Sequence, residues 1–274
     1  RGLGDVYKRQ VQIGDTVMLV TATAAKSARD GADFFPLTVD IEERMYAAGR
    51  IPGSFFRREG KASDQAILTC RLMDRPLRPC FPDGFRNEVH VVGTVLAADL
   101  INPHDVIAIN GASAALVLSG IPFDGPIGAV RIAFSTEGTW IPHPTYEEGQ
   151  ESTFEMVVAG RALGDGDVAI SMVEAGGTEA SWPAFQNGAP KVDEAVLAGG
   201  LEAAKQYILQ SINAQRQLMA AVGVKEPMTY SVSVDYTPEI LAAMQTKREQ
   251  ILATQIISDK TARLEAEAAL RDAL

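Results

Sequence analysis

Hydrophobic and polar residues alternate over several stretches of the first hundred positions, as they do in half-buried β-strands. This alternation predicts a hairpin over residues 11–23 that turns at Gly14-Asp15, and two further strands over 34–42 and 89–96. Residues 44–62 show no such period and contain three glycines and a proline. We therefore expect a long loop between the second and third of these elements.

Helix signals lie between and after these strands. Ser63 is a suitable N-cap for a helix that we expect to end at Arg75, because Pro76 disfavours its continuation. A second helix, rich in alanine, is expected from Asn102-Pro103 to about Ser119, and a long amphipathic helix over 192–221. Four short strands are predicted between these two helices, over residues 128–134, 138–141, 153–159 and 167–173.

The order of these elements divides the chain into a core and a helical tail. Strands followed by helices predict an α+β fold for a core over residues 1–222, in which residues 1–10 lack a clear period and are set apart as a candidate foreign segment. Residues 223–236 are interpreted as an extended linker. Residues 237–274 consist mostly of helix formers without a stop signal, and we interpret them as the truncated start of an all-helical domain.

Composition narrows the class of protein. Hydrophobic residues make up 46% of the 274 residues and charged residues 22%, which is typical of a globular protein and excludes a disordered, collagen-like or coiled-coil chain. The net charge of −10 excludes a uniformly basic nucleic-acid binder. Two cysteines form no disulfide framework, and no apolar run is long enough for a membrane span. We interpret the chain as a cytoplasmic protein without a membrane partner.

One segment departs from this acidic background. Residues 50–86 hold eight basic and four acidic residues, a local charge of +4 that favours a site for a polyanion. At its centre Phe55 and Phe56 precede Arg57 and Arg58. Aromatic faces stack on nucleic-acid bases and guanidinium groups bind phosphates, so the pattern is typical of a single-strand platform. The alternative, two phenylalanines that anchor the loop beside solvated arginines, stays open.

Further arginines follow this cluster along the predicted helix. Arg71 and Arg75 are four residues apart and share one face, which Arg78 could extend. Ion pairing with Asp74 or with other nearby acids is the alternative for these side chains. The sequence contains no phosphate loop, dinucleotide fingerprint, nucleophile elbow or metal-ligand spacing. We therefore predict no catalytic residue and no metal site in this chain.

Two stretches carry a family resemblance. Residues 35–60 (FPLTVDIEERMYAAGRIPGSFFRREG) and 71–82 (RLMDRPLRPCFP) resemble the first RNase PH-like core of the polynucleotide phosphorylase family. The likeness extends from about Val11 to the C-terminus, and residues 237–274 resemble the opening of the family's all-helical domain. Within the family, the sequence most resembles the branch also called guanosine pentaphosphate synthetase.

The resemblance implies an RNase PH-type α+β fold, two cores in each chain and a homotrimeric ring around a central channel. It also implies 3′→5′ phosphorolysis of single-stranded RNA, in which inorganic phosphate attacks the terminal phosphodiester and nucleoside diphosphates leave. Seven residues match RNA-binding positions of the family, at the channel constriction and along the route inward. They are Phe55, Phe56, Arg57, Arg58, Lys61, Arg75 and Arg78.

The family places its phosphate-binding and Mg²⁺-binding residues in the second core, which this sequence lacks. The resemblance therefore implies that this chain alone is inactive and that the full-length enzyme takes part in mRNA degradation, with partners in an RNA-degradation complex. Two other functions stay open. One is a non-catalytic subunit that binds RNA or builds the ring, and the other is guanosine pentaphosphate synthesis.

Overall fold

The structure is a computed structural model that describes residues 7–53, 58–234 and 236–273. Phe55, Phe56 and Arg57 lie outside the described residues. The chain divides between Ser231 and Val232 into two units, a larger α+β unit and a helical one. No helix in the described ranges combines the length and apolar composition that a membrane crossing needs.

The first sheet of the larger unit contains four described strands in the order β1-β2-β4-β3. The pairs β1–β2 and β2–β4 are antiparallel, whereas β3 and β4 run parallel. The hairpin between β1 and β2 turns at Gly14, whose φ of 53° suits glycine, as the sequence predicts. The strands are β1 (Tyr7–Ile13), β2 (Thr16–Ala28), β3 (Leu37–Glu43) and β4 (Asn87–Ala97).

The second sheet is antiparallel throughout, and its described strands follow the order β6-β5-β7-β8. These strands are the four that the sequence predicts between the two helices, with β8 extending four residues further than expected. Their bounds are β5 (Ile127–Phe134), β6 (Trp140–Pro142), β7 (Phe154–Ala162) and β8 (Val168–Gly177).

Helix α2 (Asp105–Ser119) lies at the centre of the larger unit. It packs against β1 and β2 of the first sheet and against β5 of the second, and every residue except Asn110 is buried. Even Asn110 is fixed, since its side-chain amide exchanges two hydrogen bonds with the backbone of Ala129 in β5. Helix α5 (Glu194–Val222) covers the second sheet and buries Ile208 and Ile212 against it.

Helix α1 (Asp64–Leu77) covers the β3 side of the first sheet. Ser63 caps its first turn as predicted, with its hydroxyl accepting from the Ala66 amide at 2.9 Å. The expected end at Arg75 is wrong by two residues, because Pro76 sits within the last turn. Burial of Met73 and Leu77 on either side of the proline compensates for the missing hydrogen bond.

Two further helices of the larger unit, α3 (Tyr146–Glu151) and α4 (Ser181–Gln186), are absent from the sequence prediction. Helix α2 also begins at Asp105, with His104 as its N-cap, and not at Pro103. In the second unit the predicted helical stretch forms three described helices. They are α6 (Pro238–Gln245), α7 (Arg248–Gln255) and α8 (Lys260–Ala273).

Candidate functional site

Residues 44–62 form the segment between β3 and α1. A single residue at its start, Met45, makes hydrogen bonds to two later positions of this segment. Met45 begins a 3₁₀ turn (Met45–Ala48) that is capped by Gly49, where φ is 66°. The carbonyl of Met45 accepts from the Arg50 amide at 2.9 Å, and its own amide donates to Glu59 Oε1 at 2.8 Å. Arg50 and Glu59 are therefore both hydrogen-bonded to Met45. Arg58, on the path between them, is exposed.

A second tie fixes the C-terminal side of the same segment. The Ser63 hydroxyl donates to the carboxylate of Glu43 at the end of β3. Glu43 Oε1 also lies 3.1 Å from Nε2 of His104, a residue that is 8% exposed. The nearby His104 side chain lowers the pKa of the Glu43 carboxyl below its usual value, against the effect of burial. Lys61, between the two ties, is exposed.

The two predicted arginines at the end of α1 have different surroundings. Arg75 is exposed and pairs with Glu174 of β8. Arg78 pairs with Asp74 at 2.6 Å, the alternative that the sequence left open, and its guanidinium also donates to two backbone carbonyls just before and within β3. These carbonyls belong to Phe35 and Leu37. Both side chains are exposed, but Arg78 also ties the end of α1 to the start of β3.

A cleft of about 950 Å³ opens between α1, α2, α3 and the second sheet. At its floor Arg131 of β5 donates to Asp105 and, at 2.8 Å, to Glu155 of β7. The Asp105 side chain is 4% exposed and that of Arg131 is 21% exposed. Two more carboxylates, those of Glu174 and Glu179, line the walls. The cleft is acidic, and its arginine is already neutralised.

Charge and burial act in opposite directions on Arg131. Burial lowers the pKa of its guanidinium, but the two carboxylates raise it, and the net pKa lies above its usual value. A phosphate could reach this cation only by displacing one carboxylate while facing the others. The cleft is therefore poorly suited to bind phosphate or an RNA backbone.

Comparison with known proteins agrees with this architecture. Residues 9–122 match the model of the 3′ exoribonuclease family, domain 1. The match covers less than half of the chain, and it makes residues 9–122 similar to that domain. A polyribonucleotide nucleotidyltransferase of Acidothermus cellulolyticus is 54% identical over 92% of the chain, and one of Salinispora tropica is 53% identical over 93%. The chain spans about a third of the length of these curated relatives, 32% in both cases.

A solved structure of the rice (Oryza sativa) protein Rrp46 has a similar fold. It superposes with a TM-score of 0.55 at 14% sequence identity, and the match covers 80% of this chain and 94% of that one. The α+β fold expected from the resemblance to RNase PH-like cores is thus confirmed, as is the resemblance itself.

The described part of the chain contains no cluster of side chains suited to a metal ion. No group of three His, Cys, Asp or Glu side chains there could hold a metal ion, and the acids of the cleft are engaged by Arg131 or lie apart. The residues present do not fit a Mg²⁺ ion, and no chemical step of this chain is assigned to one.

Sequence reasoning missed the residues that shape the cleft. Asp105, Arg131 and Glu155 are separated by more than twenty positions and meet only because β5 pairs with β7 beside the first turn of α2. For helix α3, in contrast, the sequence does contain a local signal. Thr145 and Glu148 form a capping box, a spacing that is readable in the sequence and predicts a helix start.

Proposed function

We propose that this chain is the RNA-guiding first core of a polyribonucleotide nucleotidyltransferase. The observation that carries the proposal is the identity of 54% over 92% of the chain with an enzyme of that name. The full-length protein would shorten single-stranded RNA from its 3′ end. Inorganic phosphate would attack the terminal phosphodiester, so that a nucleoside diphosphate leaves and the RNA keeps a new 3′ hydroxyl.

In this proposal the basic segment guides the RNA and does not perform the chemistry. Phe55 and Phe56 stack on bases, and the cations Arg57, Arg58 and Lys61 attract phosphates. Arg75, exposed at the end of α1, continues this path. Arg78 also belongs to the proposed path, although its contacts with Asp74 and with the carbonyls before β3 give it a structural task as well.

The acidic cleft supports a division of labour between this core and the rest of the protein. Because Arg131 is paired with two carboxylates, no cation of the cleft is available to a phosphate without a rearrangement. The proposed Mg²⁺ and phosphate sites therefore belong to a second core. A trimeric ring, a cytoplasmic location, a role in mRNA degradation and degradation-complex partners complete the proposal.

The cleft also favours one alternative, a non-catalytic core that only binds RNA or builds the ring. One experiment separates the two. Two samples are incubated with poly(A), phosphate and Mg²⁺, and the ADP released is measured. One is the 274-residue chain by itself, and the other is the proposed full-length protein that contains it. We expect phosphate-dependent ADP from the full-length protein alone. ADP from this chain by itself would contradict the division of labour, and none from either protein would favour the non-catalytic alternative.

RNA binding in a salt series tests the guiding role. The double variant Arg57→Ala/Arg58→Ala should weaken binding and flatten the log–log salt dependence by roughly 0.7 for each arginine–phosphate pair that it removes. Phe55→Ala/Phe56→Ala should cost about 1–3 kcal/mol for each stacked base and leave the salt slope nearly unchanged. If both variants keep the wild-type RNA affinity and salt slope, the alternative is favoured, in which the phenylalanines anchor the loop and the arginines are solvated.

A further inference from the structure

Glu59 is an acidic residue in the middle of a segment that is proposed to attract a polyanion. It follows Arg58 directly and precedes Lys61 by two positions. Its own charge opposes phosphate binding, so electrostatics alone would favour its absence. Its side chain points to a different task, because both of its carboxylate oxygens have partners across the base of the segment.

The contacts of Glu59 lead directly to the first sheet. Oε1 accepts from the Met45 amide at 2.8 Å, and Oε2 lies 3.4 Å from Nη1 of Arg44. Met45 starts the 3₁₀ turn in which the carbonyl of Ala47 accepts from the Ala98 amide, just after β4, at 2.9 Å. Glu59 is thereby joined through backbone hydrogen bonds to the rim of a four-stranded sheet.

The same turn holds the other end of the segment, since the Arg50 amide donates to the Met45 carbonyl. Because Arg50 and Glu59 are both hydrogen-bonded to Met45, the backbone is fixed at both of these positions. The backbone of the cations next to Glu59 is fixed with it. Long basic side chains lose conformational entropy when they bind a phosphate, and this loss is smaller when their backbone is already fixed.

We infer that Glu59 is a positioning residue, which holds the backbone of Arg58 and Lys61 in place for the RNA phosphates. This inference rests on the proposed RNA-guiding function and adds a residue to which neither the resemblance nor the comparisons assign a role. Arg44, shared between Glu59 and Glu42, offsets much of the negative charge that the anchor brings to the segment.

Two substitutions remove the same charge but differ in the anchor. Glu59→Gln keeps an oxygen that can accept from the Met45 amide, whereas Glu59→Ala removes every acceptor. Electrostatics alone predicts that both variants bind RNA more tightly than the wild type. Positioning predicts that Glu59→Ala binds about fivefold more weakly, the factor typical of removing one hydrogen bond, while Glu59→Gln stays within about twofold of the wild type.

The measurement is binding of a single-stranded poly(A) oligonucleotide to the full chain, with the thermal unfolding midpoint of each variant. Hydrogen exchange of the peptide over residues 44–62 reports on the anchor itself, and it should accelerate in Glu59→Ala but not in Glu59→Gln. Unchanged unfolding midpoints would exclude a general loss of stability as the cause. Equal or tighter RNA binding by Glu59→Ala, compared with Glu59→Gln, would overturn the inference.

Arg58→Ala and Lys61→Ala distinguish this failure from that of the proposed function. If these two variants weaken RNA binding and Glu59→Ala does not, the proposed RNA-binding surface is supported and the positioning role of Glu59 is wrong. If neither changes RNA affinity, the proposed RNA surface is wrong, and the inference falls with it whatever the exchange experiment gives.

Discussion

Two regions next to helix α1 differ in charge. At the end of the helix and in the segment before it, the cations Arg58, Lys61 and Arg75 are exposed. In the acidic cleft, Arg131 is largely buried between two carboxylates. The two regions touch where Arg75 pairs with Glu174, which also lines the cleft. The difference teaches that burial of a cation between carboxylates, and not the number of cations, limits how easily a polyanion can reach it.

The largest expected effect comes from breaking the buried network. Arg131→Ala leaves the Asp105 carboxylate almost fully buried without its cation, and removing one partner of such a pair costs about 3–5 kcal/mol. We expect this decrease in the free energy of unfolding, measured by urea titration of the full chain.

Arg161→Ala provides the matched control, since Arg161 lies in β7 beside β5 and its pair with Asp124 is exposed at the surface. An exposed pair contributes at most about 1 kcal/mol, so this variant should be nearly as stable as the wild type. Equal losses of stability in the two variants would show that the cleft pair is not different in kind from a surface pair.

An intermediate effect should separate the two arginines at the end of α1. Arg78→Ala removes an ion pair and two donations to backbone carbonyls, and we expect a decrease of about 1–2 kcal/mol in unfolding free energy. Arg75→Ala should cost less than about 1 kcal/mol, because both partners of its pair are nearly half exposed.

The same two variants sharpen the comparison when RNA binding is measured. Arg75→Ala should lower the salt slope by roughly 0.7 with only a small change in the urea midpoint. An unchanged slope together with a large loss of stability would move Arg75 from the basic surface to the structural group of Arg78.

The smallest effect concerns an acid that is satisfied without any cation. Burial raises the pKa of the Asp99 carboxyl, but donations from Asn102, Ile101 and Thr16 outweigh it and hold the pKa well below its usual value. Asp99 therefore stabilises the fold fully above its unfolded pKa of about 3.9, and this contribution is lost as the pH falls toward the folded pKa.

Asp99→Asn should consequently be less stable than the wild type at pH 7, by less than about 1 kcal/mol given the partial exposure of the site. The difference should shrink between about pH 5 and pH 3, as measured by urea unfolding at each pH. A difference that stays constant over this range would mean that the carboxylate charge contributes nothing beyond its shape.

Local signals in the sequence account for most of the fold. Gly14 and Ser63 fix a turn and a helix start, because each acts on its own few neighbours. Pro76 misled the prediction, since its cost of one hydrogen bond is local while the burial of Leu77 that outweighs it depends on the whole core.

The candidate site divides in the same way. The cations of the basic segment are close in sequence, so a shared surface is expected from charge alone, and it stays a prediction. The contacts of Arg78 with Phe35 and Leu37 span about forty residues, and no short pattern announces them. The anchoring of Glu59 at Met45 likewise depends on how the segment closes, which no period in the sequence encodes.

Helix α2 has a consequence for how this chain can evolve. A helix on a protein surface accepts substitutions on its solvent side, which leaves a tolerant position about every third or fourth residue. Helix α2 lies between both sheets and has no such side, and even a methyl group at Gly111 would come within 2.7 Å of Val20. Drift in this helix requires matched changes in both sheets, so its fifteen residues should vary least among descendants of this core.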